Sequence, residues 1–156
     1  MRLMHLIPLI GLLSGCAVFT QPYVVPASGP TAKLRIVNGA QRDLEISFYD
    51  QSDHCVGRRS LKKLKNGEEV TTVVYAERDL TFQLYQTERA DGRFCLKNIR
   101  FRPSEGGSYV FETRQSANSC QWHMSQESES GLPSPVPIRG IAWSRGVTEG
   151  GSWCNE

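Results

Sequence analysis

Apolar and polar side chains alternate along most of the chain, with the two-residue period of β-strands that bury one face. The first two alternating stretches are "AKLRIVN" (32–38) and "LEISFYD" (44–50), and the short polar stretch between them predicts a β-hairpin. The same alternation recurs in five more stretches, which are 69–75, 80–86, 93–101, 108–114 and 119–125. The pattern therefore predicts about seven short strands.

Seven short strands at regular spacing, separated by turn signals, predict an all-β protein built as a single β-sandwich. One stretch, "GRRSLKKLK" (57–65), carries a helical hint, since Leu61 and Leu64 are three residues apart. It is too short to form a stable helix and it ends at Asn66-Gly67. We interpret it as a short turn or an irregular strand.

The composition changes after residue 125. Residues 126–156 are rich in Ser, Gly and Pro, which predicts a long loop. Trp143, Trp153 and Cys154 within it indicate that this segment is strapped onto the sandwich domain, residues 32–125. The two tryptophans either close an end or edge of the sandwich, which we favour, or form an exposed hot spot for a partner.

The N-terminus has the organisation of an export signal. Arg2 precedes an apolar run, residues 3–13, which is shorter than the roughly 20 residues of a membrane-spanning helix. Residues 13–16 read "LSGC", a sequence that resembles the lipobox of bacterial lipoproteins. An ordinary secretory signal with an incidental cysteine is the alternative.

The lipobox resemblance implies that residues 1–15 are removed as a signal peptide and that the thiol of Cys16 carries a diacylglyceryl group. Together with further acylation, for example by palmitate, this gives a permanent membrane anchor. Ala17, in place of an aspartate, implies sorting to the outer membrane, on the periplasmic side of the cell envelope. Residues 16–31, with three prolines after Cys16 and no charge, are then a flexible tether.

Four cysteines remain besides Cys16, an even number in a chain that is exported to an oxidising compartment, so two disulfides are expected. We favour Cys95 with Cys120, because both lie in predicted strands that could be neighbours, and therefore Cys55 with Cys154. The two other connectivities remain open. A zinc site is disfavoured because it expects closely spaced cysteine pairs, and we expect no metal and no cofactor.

The stretch "FRPSEGGSY" (101–109), followed by a strand and Cys120, resembles a pattern of small periplasmic lipoproteins with transthyretin-like or immunoglobulin-like sandwiches. In that pattern, a proline and a glycine turn lead into a strand that an aromatic residue opens. The resemblance covers residues 32–125. It implies a fold and no particular activity.

The densest charge feature is a basic run with five cations in eight residues, namely Arg58, Arg59, Lys62, Lys63 and Lys65. It is a candidate site for phosphate or carboxylate groups of an envelope glycan or protein. The favoured alternative is a solvated loop that nearby glutamates neutralise. The net charge of +2 gives no strong attraction to nucleic acid, and the envelope location disfavours it as a partner.

Catalytic patterns are missing from the sequence. It has no Gly-x-Ser-x-Gly motif, and His54, beside Asp53, is interpreted as a loop histidine. The sequence therefore predicts a lipid-anchored envelope lipoprotein that binds or supports a protein or glycan partner and is not an enzyme. The second hypothesis is a periplasmic inhibitor of a lysozyme-like enzyme.

Overall fold

The computed structural model describes residues 20–86, 94–115, 120–128, 131–144 and 153–155, and in these ranges the chain forms twelve strands and no helix. The larger sheet has the order β1 (Gln21–Pro22), β4 (Val56–Leu64), β3 (Leu44–Gln51), β6 (Leu80–Gln86), β7 (Cys95–Phe101), β11 (Arg139–Trp143), β12 (Cys154–Asn155). The smaller sheet has the order β10 (Ser134–Pro135), β9 (Cys120–Glu127), β8 (Ser108–Gln115), β2 (Thr31–Gly39), β5 (Glu69–Tyr75).

One hydrophobic core lies between the two sheets. Leu34 and Ile36 on β2 are fully buried against the other sheet, as the alternation of apolar positions requires. Across the core, the ring of Phe82 on β6 meets that of Phe111 on β8 edge to face, with 5.4 Å between centroids. The all-β prediction is confirmed. All seven predicted strands form, but the described residues contain twelve, so the predicted number was too low.

The additional long strand is β4, in the stretch interpreted as a turn or irregular strand. Its pairing with β3 shifts between Glu45 opposite Lys63 and Ser47 opposite Ser60, so one residue of β3 faces two of β4. Such a bulge lets residues three apart point to the same side of a strand. Leu64 is therefore fully buried and Leu61 packs against the core, which explains the spacing that resembled a helix.

The predicted hairpin between β2 and β3 was wrong, because the two strands belong to different sheets. Asn38, fully buried at this crossing, fixes the corner. Its Nδ2 donates to the carbonyls of Arg42 at 2.6 Å and Leu64 at 3.1 Å. Its Oδ1 accepts hydrogen bonds from the amide of Ala40 and the hydroxyl of Thr113.

Residues 21–23, which fall within the predicted tether (16–31), are held on the domain, whereas residues 1–19, with the predicted signal peptide and Cys16, lie outside the described residues. Strand β1 pairs in parallel with β4, and the amide of Tyr23 donates to the carbonyl of Ser60 at 2.7 Å. The ring of Tyr23 stacks on Phe48 with 4.5 Å between centroids, and its hydroxyl donates to the carbonyl of Val73 on β5. The N-terminal segment thus joins the edges of both sheets.

The C-terminal segment, predicted to be a long loop, adds strands to both sheets. Strand β10 pairs with β9, whereas β11 pairs with β7 and β12 pairs with β11. Val136 and Ile138, between these strands, pack against the main core. The parts of the segment that the structure describes therefore pack onto the rest of the domain.

The two disulfides have the favoured connectivity. Cys95 and Cys120 are 6.2 Å apart between Cα atoms and link β7 to β9. These strands lie in different sheets, so the bond joins the two sheets and not neighbouring strands. Cys55 and Cys154, 5.5 Å apart between Cα atoms, hold the C-terminal strand on the β3–β4 connection.

Candidate functional site

The basic run lies on β4 and the residue that follows it, and acidic side chains are paired with three of its cations. Arg59 contacts Asp50 at 2.8 Å, and this hydrogen bond raises the pKa of Arg59. Lys63 lies 3.3 Å from Asp43 and 3.4 Å from Glu45, and the hydrogen bond to Asp43 is the main reason why the pKa of Lys63 is raised. The carboxylates come from the neighbouring strand β3 and its flanks, and not only from the glutamates after the run.

Two further cations of the run, Lys62 and Arg58, make different contacts. Lys62 lies 3.9 Å from a carboxylate oxygen of Glu68, a longer and more exposed contact. Arg58 points to the outer face of the large sheet, where its guanidinium lies 4.8 Å from the ring centre of Trp153. Four of the five cations of the run are therefore engaged in ion pairs or in an aromatic contact.

Trp153 packs on the outer face of the large sheet in a second apolar cluster with Tyr49, Ile141 and the Cys55–Cys154 disulfide. Its amide donates to the carbonyl of Cys55 at 3.1 Å. Its carbonyl accepts a hydrogen bond from Nδ2 of Asn98, which is fully buried. Trp153 thus covers part of this outer face.

Trp143 is different, because 41% of it is exposed. It follows Ile141 by two residues on β11, which places both side chains on the same face of the sheet. On that face, Tyr85 of β6 lies directly opposite Leu96 of β7. Phe94, two residues before Leu96 and 55% exposed, places its ring 5.9 Å from that of Tyr85.

We refer to Tyr85, Phe94, Leu96 and Trp143 as the aromatic patch. Phe94 and Trp143 are exposed, whereas Tyr85 and Leu96 are half-buried. Because large exposed apolar patches mark interaction sites and aromatic side chains are enriched at the cores of interfaces, these residues form a candidate contact surface. Of these four residues, only Trp143 was singled out from the sequence as a candidate contact. The available signal was that Phe94 and Leu96 alternate with the core-facing Cys95, so that they point to the other side of β7.

His54 lies in an open groove of about 330 Å³ at the β3–β4 connection, together with Asp50, Asp53 and Asp79. Asp50 is paired with Arg59, and Asp53 lies 3.7 Å from the guanidinium of Arg100. His54 itself is exposed, as expected for a loop histidine. Within the described ranges, no three His, Cys, Asp or Glu side chains form a group that could hold a metal ion.

Comparisons with known proteins add no family. No family model matches the chain, and no curated protein matches it. Across the part of the chain that the structure covers, no helix is long and apolar enough to cross a membrane.

Proposed function

We propose that this protein is a lipid-anchored lipoprotein of the bacterial cell envelope, held in the outer membrane on its periplasmic side, whose domain binds an envelope protein or glycan without catalysing a reaction. The observation that carries the binding role is the aromatic patch, with Phe94 and Trp143 exposed on one face of the large sheet. An immunoglobulin-like or transthyretin-like class for the sandwich is part of the same proposal.

Several observations support the lipid anchor. Four of the five cysteines are joined in two disulfides, as is typical of exported domains, which leaves Cys16 of the "LSGC" stretch as the remaining one. The edge strand β1 begins at Gln21, five positions after Cys16 in the sequence. A lipid on Cys16 would therefore be attached to an ordered edge of the domain.

The anchor is tested by intact-mass and peptide analysis of the protein purified from membranes. The expected N-terminal peptide begins at Cys16 and carries diacylglyceryl and acyl groups, and Cys16→Ala is expected to accumulate as the unprocessed, unlipidated chain. Processed, acylated protein from the Cys16→Ala variant would contradict the lipobox interpretation. The anchor test leaves the binding role open.

The binding role is tested by in-cell crosslinking followed by purification and identification of what is captured. A partner that uses the aromatic patch should be captured by the native lipoprotein and lost from a Phe94→Ser, Trp143→Ser variant. Leu132→Ser is the matched control, because Leu132 is an exposed apolar residue outside the patch, with 75% of it exposed. Equal capture by all three proteins would refute the assignment to this patch.

The same crosslinking experiment distinguishes binding through the aromatic patch from binding through the basic run. Lys62→Ser, Lys65→Ser changes two exposed lysines while keeping Arg58 and Arg59, which pack against Trp153 and pair with Asp50. Loss of capture from this lysine variant alone would assign binding to the run. Changing all five cations at once would confuse lost binding with lost packing.

A further inference from the structure

We propose that the edge of the domain formed by β1 and the following Val24-Val25 pair lies against the lipid surface, so that the anchored domain is held in one orientation. This inference rests on the proposed acylation of Cys16. The exposed apolar edge then contacts the phospholipid bilayer in which the anchor is inserted.

The length of the chain before β1 limits the distance from the membrane. Five peptide units separate Cys16 from Gln21, and fully extended chain spans at most about 3.4 Å per residue, or roughly 17 Å in total. Gln21 is fixed by its pairing with Arg59, and Tyr23 is fixed by its contacts with Ser60, Phe48 and Val73. An edge held this firmly cannot move far from the lipid without leaving the sandwich.

The surface next to this attachment point is apolar. Val24 is 74% exposed and Val25 is 52% exposed, which places them among the most exposed large hydrophobic side chains of the described residues. They follow directly after Tyr23, the residue that fixes the segment between the two sheets. Exposed apolar side chains beside a lipidated residue can lower their free energy by entering the boundary between headgroups and acyl chains.

This orientation leaves the aromatic patch accessible. In the large sheet, β1 and β11 are separated by five strand spacings, which is roughly 24 Å at 4.8 Å per spacing. Trp143 on β11 is therefore near the opposite edge from Val24. A partner in the periplasm would meet the patch while the β1 edge rests on the bilayer.

The inference is tested with a photoreactive amino acid, benzoylphenylalanine, placed at Val24 or at Leu132 of the full-length lipoprotein. The protein is reconstituted into vesicles of phosphatidylethanolamine and phosphatidylglycerol, and phospholipid adducts are quantified by mass spectrometry. Leu132 is a matched control, because it is 75% exposed and precedes β10 at the edge of the small sheet, opposite β5. We expect several-fold more lipid adduct at Val24 than at Leu132.

A longer tether provides a second variant. Inserting about 12 Gly and Ser residues between Cys16 and Gln21 adds roughly 40 Å of reach. If the short connection holds the edge on the lipid, the adduct yield at Val24 should fall several-fold in this variant. An unchanged adduct yield at Val24 would show that the short connection between Cys16 and Gln21 does not hold this edge on the lipid.

The outcomes separate this inference from the proposed function. The mass of the Cys16 peptide is measured in the same samples, and an unacylated Cys16 would remove the anchor and the inference together. Acylated protein with equal adduct yields at Val24 and Leu132 would refute the orientation alone. Adducts from Val24 to protein instead of lipid would identify the edge as a protein interface and would also overturn the inference.

Discussion

Replacing Asn38 by leucine should destabilise the fold strongly, although leucine has nearly the same size. Asn38 is fully buried where the chain crosses from the small sheet to the large one. Its side chain makes four hydrogen bonds, to Arg42, Leu64, Ala40 and Thr113. The Asn38→Leu change removes all four and leaves their partners without that bond.

The expected loss in the free energy of unfolding follows from the number of hydrogen bonds that are removed. A hydrogen bond contributes about 1 kcal/mol net, and a buried group that is left unsatisfied costs about 1–3 kcal/mol. Four bonds therefore predict a loss of about 4 kcal/mol, a large part of the 5–15 kcal/mol that is typical for a domain. With a urea m-value of about 2 kcal/mol/M, the midpoint should shift down by about 2 M.

The assay is urea unfolding of the Cys16→Ser form with both disulfides intact, followed by circular dichroism and tryptophan fluorescence. Thr71→Val, on the exposed face of β5, is the control and should change stability by less than about 0.5 kcal/mol. Thr113→Val should cost less than Asn38→Leu, since it removes only one of the four bonds. A loss below about 1 kcal/mol for Asn38→Leu would refute the reasoning, because it would mean that water replaces these bonds.

Three further predictions concern Tyr23, one disulfide and the alternative function. Burial, followed by the nearby Tyr75, raises the pKa of Tyr23 to about 12, so its neutral form is favoured in the folded state. The stabilisation that comes from neutral Tyr23 is present below the unfolded pKa of about 10. It is lost between about pH 10 and 12, where the free energy of unfolding falls by about 1–2 kcal/mol after allowing for solvent screening. Melting curves at rising pH should therefore show a smaller loss for Tyr23→Phe than for the native domain, and equal losses would contradict the assignment. Removing the Cys95–Cys120 disulfide by a double change to alanine should cost about 3.5 kcal/mol, on the basis of its sequence separation of 25 residues, and an unchanged urea midpoint would contradict this. If the protein instead inhibits a lysozyme-like enzyme, the soluble domain should slow cell-wall lysis in a turbidity assay, and an unchanged rate would dismiss that alternative.

The parts of the fold that the sequence predicted are those whose side chains alternate with a period of two. Strands β5 and β6 match their predicted bounds, 69–75 and 80–86, because one face of each is buried in the core. Strand β4 was predicted only as a short turn or an irregular strand, because its bulge interrupts the period between Leu61 and Leu64. Local periodicity reports which side of a strand is buried and does not report a change in register.

Contacts between distant residues account for most of the remaining differences. No local pattern indicates that β1 pairs with β4, since Gln21 and Arg59 meet only after the chain folds. The corner at Asn38 looked like a polar hairpin turn, and only its bonds to Leu64 and Thr113 distinguish a crossing between sheets. The aromatic patch was missed for the same reason, because it combines Tyr85 and Phe94 with Trp143 from a segment predicted to be a loop.

The protected sheet edges favour binding through side chains over binding by strand addition. A two-residue strand closes each edge of the large sheet and one edge of the small sheet, and such short edges offer little backbone to a partner strand. The fourth edge, β5 (Glu69–Tyr75), is longer, but the Tyr23 hydroxyl already donates to the carbonyl of Val73 there. For the proposed binding role, a sheet face therefore offers more contact surface than these edges do. On the outer face of the large sheet, Trp153 covers one part and leaves Phe94 and Trp143 exposed, which is why the aromatic patch is the surface to test first.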